Sequence, residues 1–369
     1  MGSKKYPSEN EYKSFLSKNG GSSNAFTGTE YTNFHFDVNV DYLREALDIF
    51  GQFFIEPLFL EDSISREICA VNSESSNYLK SDGWRTYQLQ KSMCSENHPF
   101  HKFNVGNFET LRDGPEEKGI CLRDELIAFH RKYYSSNIMR LAVLGNNSLN
   151  ELEEMVVDIF SKVNNKNNTP QSFPTNPYLP EHLSKRVNVV PMRESRSLEL
   201  FFPMREVQTL YRSKPTHYLS HLLGHEGQGS ILAFLKNRGW GNELSCGQSR
   251  TCKDWSTFSI NVELTDEGLN NVEEVVEVIF AYIELLNSSG TQEWVFKETS
   301  DVANFSFRFL SKRRPIDYVT SIAGYMHLYD DQHILSGPYR LFEYDPDSIE
   351  EVKLRTFIYI DEPIQCSPL

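Results

Sequence analysis

The sequence predicts an α+β protein built from two homologous units, each with a mixed, largely antiparallel sheet covered by helices on one face. Three observations lead to this fold class. Apolar residues alternate along two segments, and an apolar stripe at helical spacing follows each segment. The two segments also repeat at one constant offset, from Phe34 to Phe258 and from Val40 to Leu264. Residues 164–180, rich in Asn and Pro, interrupt every periodic pattern and separate the units.

The first unit is predicted to contain a half-buried strand at residues 34–40, where apolar and polar residues alternate. Asp41 is expected to cap the following helix. The apolar stripe of that helix consists of Leu43, Leu47, Phe50 and Phe53. The remaining elements are predicted as helices at 63–79, 124–134 and 150–163 and as an apolar strand at 139–144 that ends before Gly145.

The second unit repeats this order. A strand is predicted at residues 258–264, and Thr265 or Asp266 is expected to cap the helix behind it. The stripe of that helix consists of Leu269, Val272, Val276, Ile279 and Ile283. Upstream, strands are predicted at 187–190 and 198–202, and helices at 215–223 and 230–238.

The repeat offset also predicts how the units are bounded. The first unit is assigned to residues 1–168, a linker to 169–180 and the second unit to 181–369. When the offset is applied to these bounds, the counterpart of the second unit's start falls before Met1, and the counterpart of the first unit's end falls beyond Leu369. We therefore expect a first unit truncated at its N-terminus and loosened, and an intact core in a second unit truncated at its C-terminus.

Charge and composition exclude several classes of function. The 37 Lys and Arg residues stand against 51 Asp and Glu, and the net charge of −14 repels phosphate backbones and acidic membranes, so neither nucleic acid nor a membrane is an expected partner. No secretion signal or long apolar run is present, and the six cysteines form no CxxC pair. Reduced thiols and a cytoplasmic location are expected. Phosphate-loop and GxSxG motifs are absent.

Two carboxylates on one predicted helix form the first candidate site. Glu67 and Glu74 lie two turns apart on the helix predicted at 63–79 and therefore share a face, together with Ala70 and Val71. Such a pair can ligate a metal ion or orient a ligand. An acidic stripe that faces water is the alternative.

Histidines at helical spacing form the second candidate site. His217 and His221 have the i,i+4 spacing of zinc ligands, and Glu298, further along the chain, completes a trio. However, Ser220 occupies the position before His221 where a general base would be needed. We therefore expect these histidines to be structural.

Longer motifs give the sequence a family resemblance. KKYPSENEY, GGSSNAFTGTEYTNFHFDV, REICAVNSE, HPFHKFNVGNFETL, HLLGHEGQGSILAFLKNRGW and TQEWVF, in this order over about residues 1–355, resemble the insulysin-type inverzincins, which are pitrilysin-type zinc metallopeptidases. The resemblance implies homologous α/β units that close into a chamber around a peptide. It also implies a zinc ion held by both histidines of an HxxEH motif and by a downstream glutamate.

The resemblance assigns roles to individual residues. Glu74 matches the downstream zinc ligand, and Glu67 matches the supporting carboxylate of the same helix. Ser23, Asn24 and Ala25 match an edge strand that pairs with the substrate backbone. The implied exosite, which grips the N-terminus of a substrate, comprises His221, Leu222, Leu223, Gly224, His225, Glu226, Gly227, Leu244, Ser245, Cys246, Gly247 and Gln248.

The sequence departs from the family at one point that matters for catalysis, because no HxxEH motif occurs in its 369 residues. By the repeat offset, His217, His221 and Glu298 are the second-unit counterparts of the zinc ligands, and Glu298 matches Glu74. Arg314 falls where the family has an arginine linked to regulation by nucleotides or polyanions.

These observations predict a fragment or isoform of an insulysin-type zinc metalloendopeptidase that is inactive by itself. The full-length family member binds zinc, and this chain is expected to bind none tightly. The alternative is a non-catalytic peptide-binding or regulatory subunit of the same family. Peptides are the expected ligands in both cases, and a second copy or an intact family member is the expected protein partner.

Overall fold

The computed structural model describes residues 2–357. Cys366 and the predicted C-terminal boundary of the second unit lie outside the described residues. The strands are β1 (Ser22–Thr27), β2 (Thr32–Asp37), β3 (Ser197–Arg205), β4 (Gly241–Thr251) and β5 (Trp255–Leu264). The α-helices are α1 (Glu11–Lys18), α2 (Leu43–Ile55), α3 (Glu61–Tyr78), α4 (Asp82–Ser92), α5 (Gly114–Glu117), α6 (Leu122–Tyr133), α7 (Leu149–Phe160), α8 (Pro215–Leu223), α9 (Ile231–Arg238), α10 (Asp266–Asn270), α11 (Val272–Ser289), α12 (Glu293–Arg308), α13 (Pro315–Tyr325) and α14 (Pro346–Phe357).

The predicted α+β class is confirmed. Helices dominate the described part of the chain, and its strands form two small sheets, β1-β2 and β3-β5-β4, in which every described strand pair is antiparallel. None of the described helices is long and apolar enough to cross a membrane.

The first compact unit contains residues up to 85 together with 103–171 and 312–327. Strands β1 and β2 pair in register from Ser22 with Asp37 to Thr27 with Thr32. Helix α13 packs against β2, although most of the chain lies between them in the sequence. The apolar core of this unit is small and consists of Tyr12, Leu16, Ala46, Ile49 and Phe50, with aromatic rings packed around it.

The second compact unit contains residues 86–102, 172–311 and the described residues from 328 onward. Its central strand β5 is buried along most of its length, with Phe258, Ile260 and Val262 at its centre. Helices α8, α9 and α11 pack with this sheet around one large apolar cluster. The boundary between homologous units at residues 169–180 concerns the sequence repeat and stays a prediction.

Most predicted helices are confirmed, including α8 at 215–223 and α9 at 231–238. Thr265 caps the helix after β5, since its Oγ1 accepts a hydrogen bond from the Gly268 N–H at 2.9 Å. The expected cap at Asp41 is wrong, because Asp41 lies in a 3-10 turn that leads into α2 and no side chain caps that helix. The predicted helix behind β5 is interrupted at Asn271, which separates α10 from α11.

Two predicted strands are wrong. Residues 139–144 and 187–190 contain the expected apolar side chains, and Met139 has extended backbone angles, but neither segment forms a strand. A strand requires the N–H and C=O groups of a neighbouring chain, and no described strand pairs with either segment. Several of their apolar side chains are consequently exposed, Val190 to 81%. Strand β2 likewise ends at Asp37, so Val38 and Val40 lie outside it.

Candidate peptide-binding site

Ser23, Asn24 and Ala25 lie in β1 and pair with Phe36, His35 and Phe34 of β2. Because the sheet of this unit contains only these two strands within the described part of the chain, the other side of β1 is an open edge. Asn24 and Ala25 are exposed there. An open edge can add an extended peptide through its free N–H and C=O groups, although the Ala25 N–H here already donates to Oδ1 of Asn24 at 2.9 Å.

Glu67 and Glu74 lie on one side of α3, and both side chains are exposed. Neither carboxylate forms an ion pair or a side-chain hydrogen bond with another described residue. A tight zinc site needs three or four ligands at about 2.0–2.3 Å from the metal. No group of three His, Cys, Asp or Glu side chains within the described residues is arranged to hold a metal ion. The side chains of α3 therefore do not fit a zinc site without further ligands.

His217, His221 and Glu298 also fail to form a metal site. The two histidines lie one turn apart on α8 as the sequence predicted, but Glu298 is an exposed residue of α12 and does not complete a cluster with them. His221 packs instead against His225, with ring centroids 6.2 Å apart. The Nδ1 atom of His225 accepts a hydrogen bond from the backbone N–H of Gly227 at 3.0 Å. These contacts involve neighbouring residues at the end of α8 and no metal ligand set among the described residues.

Some of the predicted exosite residues meet where α8 contacts β4, and Gly224 to Gly227 follow the end of that helix. Cys246 donates from Sγ to the carbonyl oxygen of Ser220 at 3.4 Å, and Thr216 donates from Oγ1 to Oε1 of Gln248 at 3.2 Å. Gly224 permits this approach, because a Cβ atom there would lie 3.3 Å from Cys246 Sγ. Burial raises the pKa of the Cys246 thiol to about 12, so the thiol is neutral near pH 7.

Strand β4 is an edge strand, because the sheet order is β3-β5-β4. Leu244, Ser245, Cys246, Gly247 and Gln248 all lie in it, and Leu244 points into the core while Ser245 is exposed. An open groove of about 660 Å³ crosses one end of this sheet and is lined by residues of all three strands, among them Ser197, Ser245 and Glu263. The free edge of β4 is a separate feature from this groove, and only Leu244 and Ser245 of the five residues line it.

Arg314 lies outside this corner. It precedes α13 and forms a two-pronged contact with Asp317, with Nε to Oδ2 at 2.7 Å and Nη2 to Oδ1 at 2.9 Å. This ion pair raises the pKa of Arg314 and lowers that of Asp317. Because α13 packs against β2, Arg314 belongs to the unit that carries β1 and not to the unit that carries the predicted exosite.

Sequence reasoning missed two residues at the corner of α8 and β4 and one residue beside Arg314. Thr216 and Ser220 fix β4 to α8, and only the three-dimensional contact of strand with helix reveals them. Asp317 holds Arg314 at the start of α13, and its i,i+3 spacing with Arg314 was a signal in the sequence that could have predicted the pair.

Comparison with known proteins gives consistent matches along the chain. Residues 1–96 match the family described as "Insulinase (Peptidase family M16)", residues 122–301 match "Peptidase M16 inactive domain", and residues 307–355 match "Middle or third domain of peptidase_M16". These three matches belong to one peptidase family and follow one another in order.

Individual relatives agree with this assignment. The chain is 47% identical to the insulin-degrading enzymes of Bos taurus and Homo sapiens over 357 residues, which cover 96% of the chain and 35% of each relative. It is 45% identical to the A-factor-processing enzyme of Saccharomyces cerevisiae over 323 residues, 88% of the chain and 32% of that enzyme. The chain thus spans about a third of the length of these relatives.

Solved structures show the same fold. The crystal structure of pitrilysin superposes with a TM-score of 0.92 at 30% sequence identity and covers 97% of the chain and 38% of pitrilysin. The first half of the periplasmic protease PqqL from Escherichia coli superposes with a TM-score of 0.64 at 14% identity, over 97% of the chain and 75% of that structure.

Proposed function

Since the chain belongs to the insulinase family of peptidases, peptidase family M16, we propose that it supplies the peptide-binding surface of an insulysin-type zinc metalloendopeptidase and that by itself it binds peptides without cleaving them. The observation that carries this proposal is the open edge of β4. The five β4 residues of the predicted exosite lie on an edge strand that packs beside α8, and two of them, Leu244 and Ser245, also line the open groove. Backbone pairing along such an edge recognises an extended peptide with little dependence on its side chains.

The lack of hydrolysis follows from the residues that the chain contains. Its 369 residues include no HxxEH motif. In a zinc peptidase, the metal polarises the scissile carbonyl and activates a water molecule with the help of a general base. Glu74 is the zinc ligand and Glu67 the supporting carboxylate that we carry over from the family, and the described part of the chain provides no further ligands around them. No hydrolytic step is therefore assigned to this chain, and zinc is the cofactor of the complete site.

Two assays on one preparation test the proposal. A fluorescein-labelled extended peptide should bind to the chain and gain anisotropy, whereas a quenched fluorogenic version should not be hydrolysed above the buffer rate, with or without added Zn²⁺. Methylation of alternate peptide nitrogens should weaken binding at least tenfold, because it removes backbone donors. Hydrolysis that a chelator abolishes, or equal binding of the methylated peptide, would contradict the proposal.

A variant pair locates the binding surface. Gln248→Ala removes the side chain that joins β4 to Thr216 and should weaken peptide binding. Gln332→Ala changes an exposed side chain of a 3-10 turn and should leave it unchanged. Equal loss in the two variants would exclude the β4 edge as the binding surface.

The alternative proposal is a non-catalytic peptide-binding or regulatory subunit. It is favoured by the large buried core of the second compact unit, which can hold the β4 edge in place without catalysis. In that case, addition of the chain to an intact M16 peptidase should change the rate of peptide cleavage, either by pairing with the enzyme or by sequestering substrate. We place either activity in the cytoplasm, which the five free cysteines of the described residues support.

A further inference from the structure

Lys91 and Arg250 share two aromatic rings in the second compact unit. The Lys91 Nζ atom lies 4.4 Å from the centroid of the Phe100 ring and 5.4 Å from that of Tyr87. The Arg250 Cζ atom lies 4.2 Å from the centroid of Tyr87 and 5.5 Å from that of Phe100. Lys91 comes from α4 and Arg250 from β4, so the two cations approach the rings from different elements.

The Lys91 side chain is almost wholly buried, since only 6% of the residue is exposed. No carboxylate of the described residues forms an ion pair with Lys91 or with Arg250. Removing an ammonium group from water without a counter-ion is costly, and a ring face recovers only part of that cost. Burial and the positive charge of Arg250 accordingly lower the pKa of Lys91.

The neighbouring Cys94 thiol does not supply the missing negative charge. The thiols of Cys94 and Cys252 lie close enough to Lys91 that a negative charge on either of them would raise the pKa of Lys91. Burial, however, raises the pKa of the Cys94 thiol and keeps it neutral near pH 7. Cys94 also donates its S–H to the backbone carbonyl of Lys91 at 3.0 Å. Neither an ion pair with a described carboxylate nor a Cys94 thiolate therefore offsets the two positive charges.

We propose that Lys91 and Arg250 form a binding site for an oxyanion, a carboxylate or phosphate group that contacts the Arg250 guanidinium and compensates the buried ammonium of Lys91. A guanidinium matches the geometry of both oxyanions through paired N–H donors. The two sources of such a group are an acidic side chain of a peptide bound along β4, which already contains Arg250, and free inorganic phosphate. Phosphate binding does not depend on the proposed peptide-binding function, so the two proposals can fail separately.

Thermal unfolding of the full chain in inorganic phosphate, at constant ionic strength set with NaCl, tests the site. Phosphate should raise the melting temperature saturably, and titration calorimetry should give a dissociation constant that weakens at least tenfold in Lys91→Met and in Arg250→Gln. Without phosphate, Lys91→Met should melt no lower than the native chain, because the variant removes an uncompensated charge. A second arm compares a Glu-containing peptide with its Gln counterpart, and a preference for Glu that Arg250→Gln abolishes identifies the peptide as the source.

Arg238→Gln is the matched control. Arg238 also lies over two rings, those of Phe234 and Trp240, but it is exposed, so its loss should change neither phosphate nor peptide binding. An equal phosphate response in Arg250→Gln and the native chain, no response in either, or equal loss in Arg238→Gln would overturn the proposal. A sharply lower melting temperature of Lys91→Met without phosphate would also overturn it, because the ammonium would then be compensated within the protein.

Discussion

Asn33 and Thr320 are joined by a hydrogen bond in which the Asn33 Nδ2 atom donates to the Thr320 carbonyl oxygen at 3.2 Å. The contact ties β2 to α13 across 287 residues of chain. It brings the segment that begins at Arg314 next to the strand that pairs with the predicted substrate-pairing strand β1.

Replacement of Asn33 by Ala should therefore release α13 from β2. Asn33 is buried, and its Oδ1 also lies 3.1 Å from Nδ1 of His35, so the variant loses two polar contacts. We expect a loss of about 1–2 kcal/mol in the free energy of unfolding and faster amide exchange in α13. The control Asn270→Ala changes an exposed residue of the second unit and should stay within about 0.5 kcal/mol. Unchanged exchange in α13 would show that other contacts hold this helix.

Two glycines should respond in opposite directions to the same substitution. A Cβ atom at the buried Gly268 would lie 1.8 Å from the carbonyl oxygen of Trp240, so Gly268→Ala must shift the backbone. We expect a loss of roughly 1–3 kcal/mol in the free energy of unfolding. Gly324 lies within α13, and a Cβ atom there meets no atom within 4 Å, so Gly324→Ala should be neutral or stabilising by about 0.4–1 kcal/mol. Urea unfolding of the two variants measures both effects. Equal losses of stability would contradict the prediction that only Gly268 is too crowded for a side chain.

Lys214 should make the stability depend on pH in alkaline solution. Burial lowers the pKa of Lys214 from 10.5 to about 8. Its Nζ donates to the carbonyl oxygen of Pro338 at 2.9 Å, and no carboxylate of the described residues pairs with it. Between pH 8 and 10.5 the unfolded chain binds more protons than the folded chain, so the contribution of Lys214 to stability rises with pH, by at most about 1.4 kcal/mol per pH unit.

The matched variant for this prediction is Lys214→Met. It should be more stable than the native chain near pH 7, and the difference should shrink as the pH rises toward 10.5. Both side chains start from the same left-handed backbone, with φ at 46°. Urea midpoints of the two proteins across this range measure the effect, and a constant difference would show that Lys214 keeps its ordinary titration.

Alkylation should separate the described cysteines into two groups. Cys69 and Cys121 are exposed and should react with iodoacetamide at pH 8 in the native protein, whereas Cys94 and Cys252 are buried. Cys246 should also resist, because only about 10⁻⁴ of a thiol with a pKa near 12 is ionised at that pH. Mass spectrometry of the labelled peptides measures this order. Rapid labelling of Cys246 would mean that the corner of α8 and β4 opens readily.

Amide hydrogen exchange should be slower in the second compact unit than in the first. Within the described residues, the apolar cluster of the second unit contains 22 buried side chains, among them Leu219, Phe258 and Ile279, against five in the first. Global protection depends on the buried core that must be exposed before exchange. The amides of β5 and α11 should therefore exchange last. Equal protection of α2 and β5 would contradict this expectation.

The sequence correctly predicted the structural elements that depend only on residues next to one another in the chain. Thr265 sits between an alternating strand and a helical stripe, and its role as a cap depends only on its neighbours. The 139–144 strand was predicted from its own composition, but a strand also depends on a partner, which no local pattern specifies. The association of α13 with β2 escaped prediction for the same reason, since 287 residues separate Asn33 from Thr320.

In the candidate site, too, the features set by nearby residues were predicted and those set by distant contacts were not. Family motifs named the exosite residues, and the helix at 215–223 was predicted from its pattern, but no strand was predicted at 241–251. The structure shows that strand as β4 and joins it to α8 through Thr216 and Gln248. The motifs gave no indication of Lys91 and Arg250, because a shared pair of aromatic rings is a property of the folded unit and not of spacing along the chain.

The irregular spacing of β4 has a consequence for how copies of the chain meet one another. An uninterrupted edge of eleven residues would be a template for any other unpaired strand and would invite aggregation. The register shifts at Asn242 and Ser249, which leave these two residues out of the ladder with β5. Each bulge bends β4 and shortens the length of its edge that a flat, rigid strand from another molecule could pair with. The flexible peptide proposed as the ligand can adapt to this bent edge more readily than a rigid folded neighbour, so we expect the two bulges to reduce edge-to-edge pairing between copies of the chain.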